Sequence, residues 1–265
     1  MTIVAVLYLI LWSILLHYFQ RSMNSREIYM QANSVASIML TQTGLQFSSM
    51  LMCLLTIMLG AGSIASELEN GMIHAIISRP LRRFEYILGK FAGLLILLFI
   101  YATLLFSAIL LIGYFFSLNT IEMLTAVQVF KGWFFYLLVP VVVLCVTIFG
   151  SVSLKPVPNG LLMIFIYILG NIGGMVEMIG KYIGNDAVIS AGVFISLISP
   201  FQTIFATAQR MLIPSSSVAG ELMQSAGGLS GSGEPASLWM FVYIGIYAVG
   251  FILLSIRKFD KMDIN

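Results

Sequence analysis

"FAGLLILLFIYATLLFSAILLIGYFF", Phe91 to Phe116, runs for 26 residues without one charged side chain. Wound as an α-helix it reaches about 39 Å at 1.5 Å per residue, more than the roughly 30 Å hydrocarbon core of a bilayer. A helix that is apolar on every side for that length has lipid or other spans as its surroundings. Other stretches follow it in kind, so spans are expected at approximately 1–19, 46–65, 91–116, 132–151, 160–179 and 238–256. The fold class expected is an all-α integral membrane protein of six transmembrane helices, forming a single transmembrane domain over 1–265. Composition agrees, with 60% apolar and 9% charged residues, against about 25% charged in a soluble domain. The first segment has no Lys or Arg before its apolar run and no small-residue cleavage pattern after "LLHYF", and reads as a retained span.

The basic residues report topology. With both termini cytoplasmic, the inner segments 66–90, 152–159 and 257–265 hold 42 residues and eight Lys or Arg, while 99 outer residues hold five. That excess is the positive-inside pattern and places the chain in the cell membrane as a multi-pass protein. A net charge of +2 with the basic residues at span ends excludes a nucleic-acid partner. Cys53 and Cys145 both lie in apolar runs, where a thiol acts as a small hydrophobe.

Between spans five and six lies an outer segment, 180–237. "AVISAGVFISLI", Ala187 to Ile198, is apolar but reaches only about 18 Å, too short to cross, and reads as a re-entrant or interfacial helix. After Pro200, the residues Phe201, Ile204, Phe205, Ala208 and Leu212 share one helical stripe. The Ser- and Gly-rich run from Pro214 to Pro235 reads as an outer loop. In span five, "LGNIGGM" (Leu169 to Met175) suits close helix packing or local unwinding.

One inner stretch is densely charged: "SELENGMIHAIISRPLRRFEYILGK", Ser66 to Lys90. Its arginines cannot lie in lipid, since each costs on the order of 2.5–3.5 kcal/mol at mid-membrane. Yet Leu68, Met72, Ile73, Ile76 and Ile77 recur at helical spacing, opposite Glu67, Asn70, His74 and Ser78, so a short amphipathic helix is expected. Ser66 is its expected cap, with Glu67 and Glu69 in the first turn, and Pro80 ends it. Such a helix either rests on lipid with its arginines at anionic headgroups or docks to a soluble partner. Spacing does not choose between them.

The order Glu67, Gly71, apolar "MIHAII", "SRPLRR" and "LGK" resembles the intracellular-loop signature of ABC-2 type transporter permeases. That signature runs Glu, three residues, Gly-Thr, an apolar stretch, Pro, a small apolar residue, Ser-Arg, then Gly-Lys. Here Met72 stands at the usual Thr and Arg82 at the usual Ser. "ISPFQTIFATAQR", Ile198 to Arg210, is similar to the family's Pro-then-Arg pattern before its last span. Members usually carry an amphipathic helix ahead of the first span, whereas this chain begins with "MTIVAVLYLILW".

The resemblance implies that the 66–78 helix is a coupling helix fitting an ATP-binding cassette subunit, with Glu67, Gly71, His74, Arg79, Pro80 and Arg83 as contact or shaping residues. It also implies a second permease subunit, a homo- or heterodimer, with the substrate route between the halves. No G-x-x-x-x-G-K-[ST] occurs, so no cofactor is expected on this chain, and ATP and Mg belong to the partner. The function expected is that of a permease exporting an amphiphilic or hydrophobic substrate.

Other classes of membrane protein call for other residues. An ATP-driven mechanical device acting on a membrane partner would use the same architecture. An ion-coupled transporter places ionisable groups inside its spans, and the candidates His17 and Glu177 lie near predicted span ends. An intramembrane enzyme would need a motif such as H-E-x-x-H or G-x-S-x-G, and neither occurs.

Overall fold

A computed structural model describes residues 2–23, 30–70, 83–116, 118, 121, 123–214 and 238–261. Among them the regular elements are helices: α1 (Thr2–Met23), α2 (Met30–Ala61), α3 (Ala65–Glu69), α4 (Arg83–Phe115), α5 (Ala126–Ser153), α6 (Pro156–Ile183), α7 (Asp186–Ile198), α8 (Phe201–Met211) and α9 (Leu238–Asp260). Six are long and apolar enough to cross a bilayer: α1, α2 with α3 as its continuation, α4, α5, α6 and α9. The six-span, all-α class expected from hydropathy is therefore the fold observed. It is also the fold that lipid demands, because a helix satisfies its own backbone where no water can.

The bundle is built around α5. Its spanning window is 78% buried, against 17% for α1 and 11% for α9. "YLLVPVVVLCVTIFGSVS" is apolar on all sides, as a helix enclosed by others must be, and α2, α4, α6, α8 and α9 all pack on it. Tyr136 marks the centre. Its hydroxyl lies 2.8 Å from Ser48 Oγ of α2, and its ring meets Phe106 of α4 at 5.4 Å and Phe205 of α8 at 6.4 Å. Three helices are thus registered on one buried side chain.

α2 begins at Met30, well before the span start expected at 46. Hydropathy leaves the stretch before 46 outside the span because of its polar side chains, but those of Thr41, Gln42 and Thr43 are satisfied within the fold. Thr41 and Thr43 hydroxyls donate to the carbonyls of Ser37 and Met39, at 2.9 and 2.7 Å. Gln42 and Gln209 of α8 exchange side-chain-to-backbone bonds, Gln42 Nε2 to Gln209 O at 2.9 Å and Gln209 Nε2 to Gln42 O at 3.0 Å. A polar residue so paired no longer argues against helix or burial.

α6 runs unbroken through Leu169–Met175, so close packing, not unwinding, is what the small residues provide. It ends on Gly184 at φ 70°, and α7 folds back beside it, capped by Asn185, which accepts from Ala187 N at 3.0 Å. A Cβ on Gly192 would stand 2.6 Å from Glu177 N, so only glycine allows the two backbones this approach. α7 and α8 meet at 103°. With 13 residues, α7 covers about 20 Å and cannot span. The stripe read after Pro200 faces inward, since Phe201, Ile204, Phe205, Ala208 and Leu212 are all buried.

α9 hangs on α5 by aromatic pairs, Phe135–Phe241 and Phe149–Phe251, each at 5.3 Å. Its tyrosines also close the end of α7: Tyr243 and Tyr247 hydroxyls donate to the carbonyls of Leu197 (2.7 Å) and Ile198 (3.0 Å), which a helix C-terminus leaves unpaired.

Candidate functional site

The residues that carried the sequence reading converge, where they are described, at one end of the bundle. There α2 finishes, α3 leaves it, α4 begins, α5 turns into α6, and α9 ends. The chain makes a tight turn after α2, with Ser63 N bonded to Gly60 O and Ser66 N to Gly62 O, both at 3.2 Å. α3 then starts at Ala65, with Ile64 in the capping position and no side-chain cap of its own. Ser66, the expected cap, lies inside the helix.

The cap comes from another helix. Ser151 Oγ of α5 accepts from both Ile64 N and Ala65 N at 3.0 Å. Ser151, Ile64 and Ala65 are all buried, so these first amides, which have no partner within α3, have no water either. One hydroxyl on the central helix therefore fixes where α3 begins and how it points.

Asn159, in the first turn of α6, is fully buried and locks the same corner. Its Nδ2 donates to Ala61 O at 3.3 Å and to Thr147 O at 3.1 Å, joining the last turn of α2 to α5. Oδ1 has no donor among the described residues. It rests against Gly150, where any Cβ would collide with it. Glycine at 150 is thus the condition for α5 and α6 closing over a buried amide.

A second set of ties binds α3 to α4. The Glu67 carboxylate accepts from the Tyr86 hydroxyl and the Lys90 ammonium, forming an ion pair with Lys90. The Tyr86 ring stacks on Phe259 of α9, centroids 5.7 Å apart and planes 17° off parallel. Lys258, its neighbour, donates to Ser153 Oγ at 2.8 Å and lies 5.8 Å above the Phe149 ring. Glu69 and Lys155 approach to 3.7 Å, a surface pair of little energetic weight. Leu68 packs against the cluster of Leu55, Ile64, Ile87, Leu144, Ile148 and Phe259. The first residue of the apolar stripe expected over 66–78 therefore makes an inward contact and is not part of a docking face.

Of the six residues singled out by resemblance, Glu67 stands at this junction with its partners. Arg83 is the first residue of α4, its side chain outside the description. Gly71, His74, Arg79 and Pro80, and with them most of the expected helix, lie outside the described residues. Ser151, Asn159 and Tyr86 were not singled out from sequence. Asn159 sits in "KPVPNG", which reads as a turn, and no local pattern marks Ser151 as the cap of a helix 86 residues away. Glu67 was legible as a site residue through the resemblance, but its pairing with Lys90 was not read from the sequence.

The arrangement is a clamp. No group of three or more His, Cys, Asp or Glu that could hold a metal occurs among the described residues. The corner joins α2, α3, α4, α5, α6 and α9.

The chain matches the family described as ABC-2 family transporter protein over residues 2–264. No curated protein matches it. A match across nearly the full chain, on a six-span all-α bundle with its charged loop rooted among the spans, means that this protein belongs to the ABC-2 transporter family, as a membrane permease of an ABC transporter.

Proposed function

We propose that the chain is the permease subunit of an exporter for amphiphilic or hydrophobic cargo, driven by ATP hydrolysis on a separate cassette subunit that carries ATP and Mg. It lies in the cell membrane with both termini cytoplasmic, paired with a second permease subunit. The helix expected over 66–78 is the coupling element. Glu67 braces its root, and Gly71, His74, Arg79, Pro80 and Arg83 shape or contact the partner's groove.

The observation that carries this reading is the root itself. The amides of Ile64 and Ala65, at the start of α3, are held by Ser151, and Glu67 is held by Tyr86 and Lys90. A helix that only rests on headgroups gains nothing from attachment to α5 and α4. A helix that must pass on a partner's motion does, because a rigid root turns displacement into a tilt of the helices it grips.

The test is capture of the cassette subunit by tagged permease from native membranes. Ile76→Arg, on the expected outer part of the stripe, should abolish capture while leaving permease abundance unchanged. Undiminished capture by that variant would overturn the coupling role of the loop.

A further inference from the structure

At the opposite end of the bundle, α2, α6 and α8 enclose a groove of about 240 Å³ lined by Thr43, Gln46, Asn171, Gln202, Gln209 and Met175, with Gly174. Gln46 stands fifteen residues before Ala61 and Asn171 fifteen after Pro156, so both lie about 22 Å from the loop end. This is close to the far boundary of a 30 Å hydrocarbon layer. The groove is formed by residues of one chain.

Its chemistry is specific. Five of the lining side chains are amides or a hydroxyl, and none is charged. Part of the wall is held rigid from behind: Asn171 Nδ2 donates to Tyr167 O at 3.0 Å, Gln46 Nε2 to Asn171 Oδ1 at 3.3 Å, and Gln209 to Gln42 O. The Gln202 amide and Gln46 Oε1 are left without protein partners among the described residues. These free amide groups face the groove from partly buried side chains, so hydrogen-bonding groups can fill it. At about 30 Å³ per water, the space equals about eight waters, enough for a small headgroup but not for a whole amphiphile. Met175, on the rim, is 66% exposed and gives an apolar exit for a tail.

We infer that this groove binds the uncharged, hydrogen-bonding headgroup of an amphiphile, one bearing hydroxyls or amides, with its chain leaving past Met175 into the bilayer. A charged headgroup would meet no counter-charge on these walls and would lose its hydration. The same chemistry belongs to a transported cargo or a resident neutral lipid; the cargo case rests on the export reading above, while the binding site does not.

Radiolabelled monolaurin, binding to purified permease in nanodiscs, tests it. Unlabelled monolaurin should displace the label at concentrations at least tenfold below those needed by laurate or dodecyltrimethylammonium, which share its chain but carry charge. Gln46→Leu and Gln202→Leu should each weaken binding about fivefold, the loss of one neutral hydrogen bond. Gln202 lies on the short α8, so its variant serves if the α2 variant does not fold. Equal competition by all three amphiphiles, or native binding by both variants, would overturn the proposal. With the cassette subunit present, ATPase stimulation by monolaurin identifies cargo, and binding without stimulation identifies a resident lipid. Both leave the site standing, and neither depends on the loop capture experiment.

Discussion

Removing the hydroxyl of Ser151 isolates the cap on α3 from everything else at the junction. Ser151→Ala takes the acceptor from two buried amides, Ile64 N and Ala65 N, at a site too enclosed for water to replace it. Loss of an N-cap side chain costs about 1 kcal/mol, and a buried donor left without a partner about 1–3 kcal/mol. With two donors affected and partial relaxation of the 62–64 turn, the expected loss is about 2–4 kcal/mol, confined to α3 and its turn. Amide hydrogen exchange at residues 64 and 65 reads this directly. Where exchange follows local opening, protection should fall roughly 30- to 900-fold, while amides in the middle of α5 stay as they are. Ser153→Ala is the control, because Ser153 Oγ faces outward to Lys258 and its loss should change protection at 64 and 65 little. If Ser151→Ala leaves the two amides as protected as before, or behaves as Ser153→Ala does, the cap described here does not hold α3.

The Glu67–Lys90 tie is tested by charge exchange. Glu67→Lys and Lys90→Glu should each lower cargo-stimulated ATPase in the assembled transporter, and the double variant should recover part of it, with a coupling energy of about 1 kcal/mol for a pair at this exposure; additive losses would remove the pair from the mechanism. Topology is tested by a cysteine at Ser217, which should react with an impermeant maleimide on intact cells, and labelling only after lysis would invert the orientation. Cys53 and Cys145 are buried and should contribute no background.

What could be read from the sequence was whatever depends on local period or average hydropathy. The Phe91–Phe116 run marks α4 because an uncharged helix of that length has one environment. The Phe201–Leu212 stripe marks α8 because its spacing is helical and its polar residues fall off it. The opening of α2 failed the same test, since a hydropathy average counts Thr41, Gln42 and Gln46 as costs and cannot see that Gln209, 167 residues away, repays one of them. The candidate site divides along the same line. Glu67 was visible through the loop signature, though its tie to Lys90 was not. Ser151 and Asn159 were not, because small polar residues take their meaning from which distant backbone group they meet. Leu68 illustrates the converse: its place on an apolar stripe was right, but only the packed bundle shows that the stripe starts by facing inward.

Pro140 lies inside α5, the helix that holds Ser151 near one end and, near the other, gives Gly132 the close seat of Leu212 just after α8. Proline has no amide hydrogen, so the carbonyl of Tyr136 loses the donor that would continue the ladder. α5, one of the long helices joining the loop corner to the bent roof, thus lacks one ladder bond between its two grips. A pushrod with a compliant joint does not deliver a stroke unchanged: it lets one end swing while the other holds. Swapping Pro140 for alanine would give the carbonyl of Tyr136 its donor back and stiffen that rod.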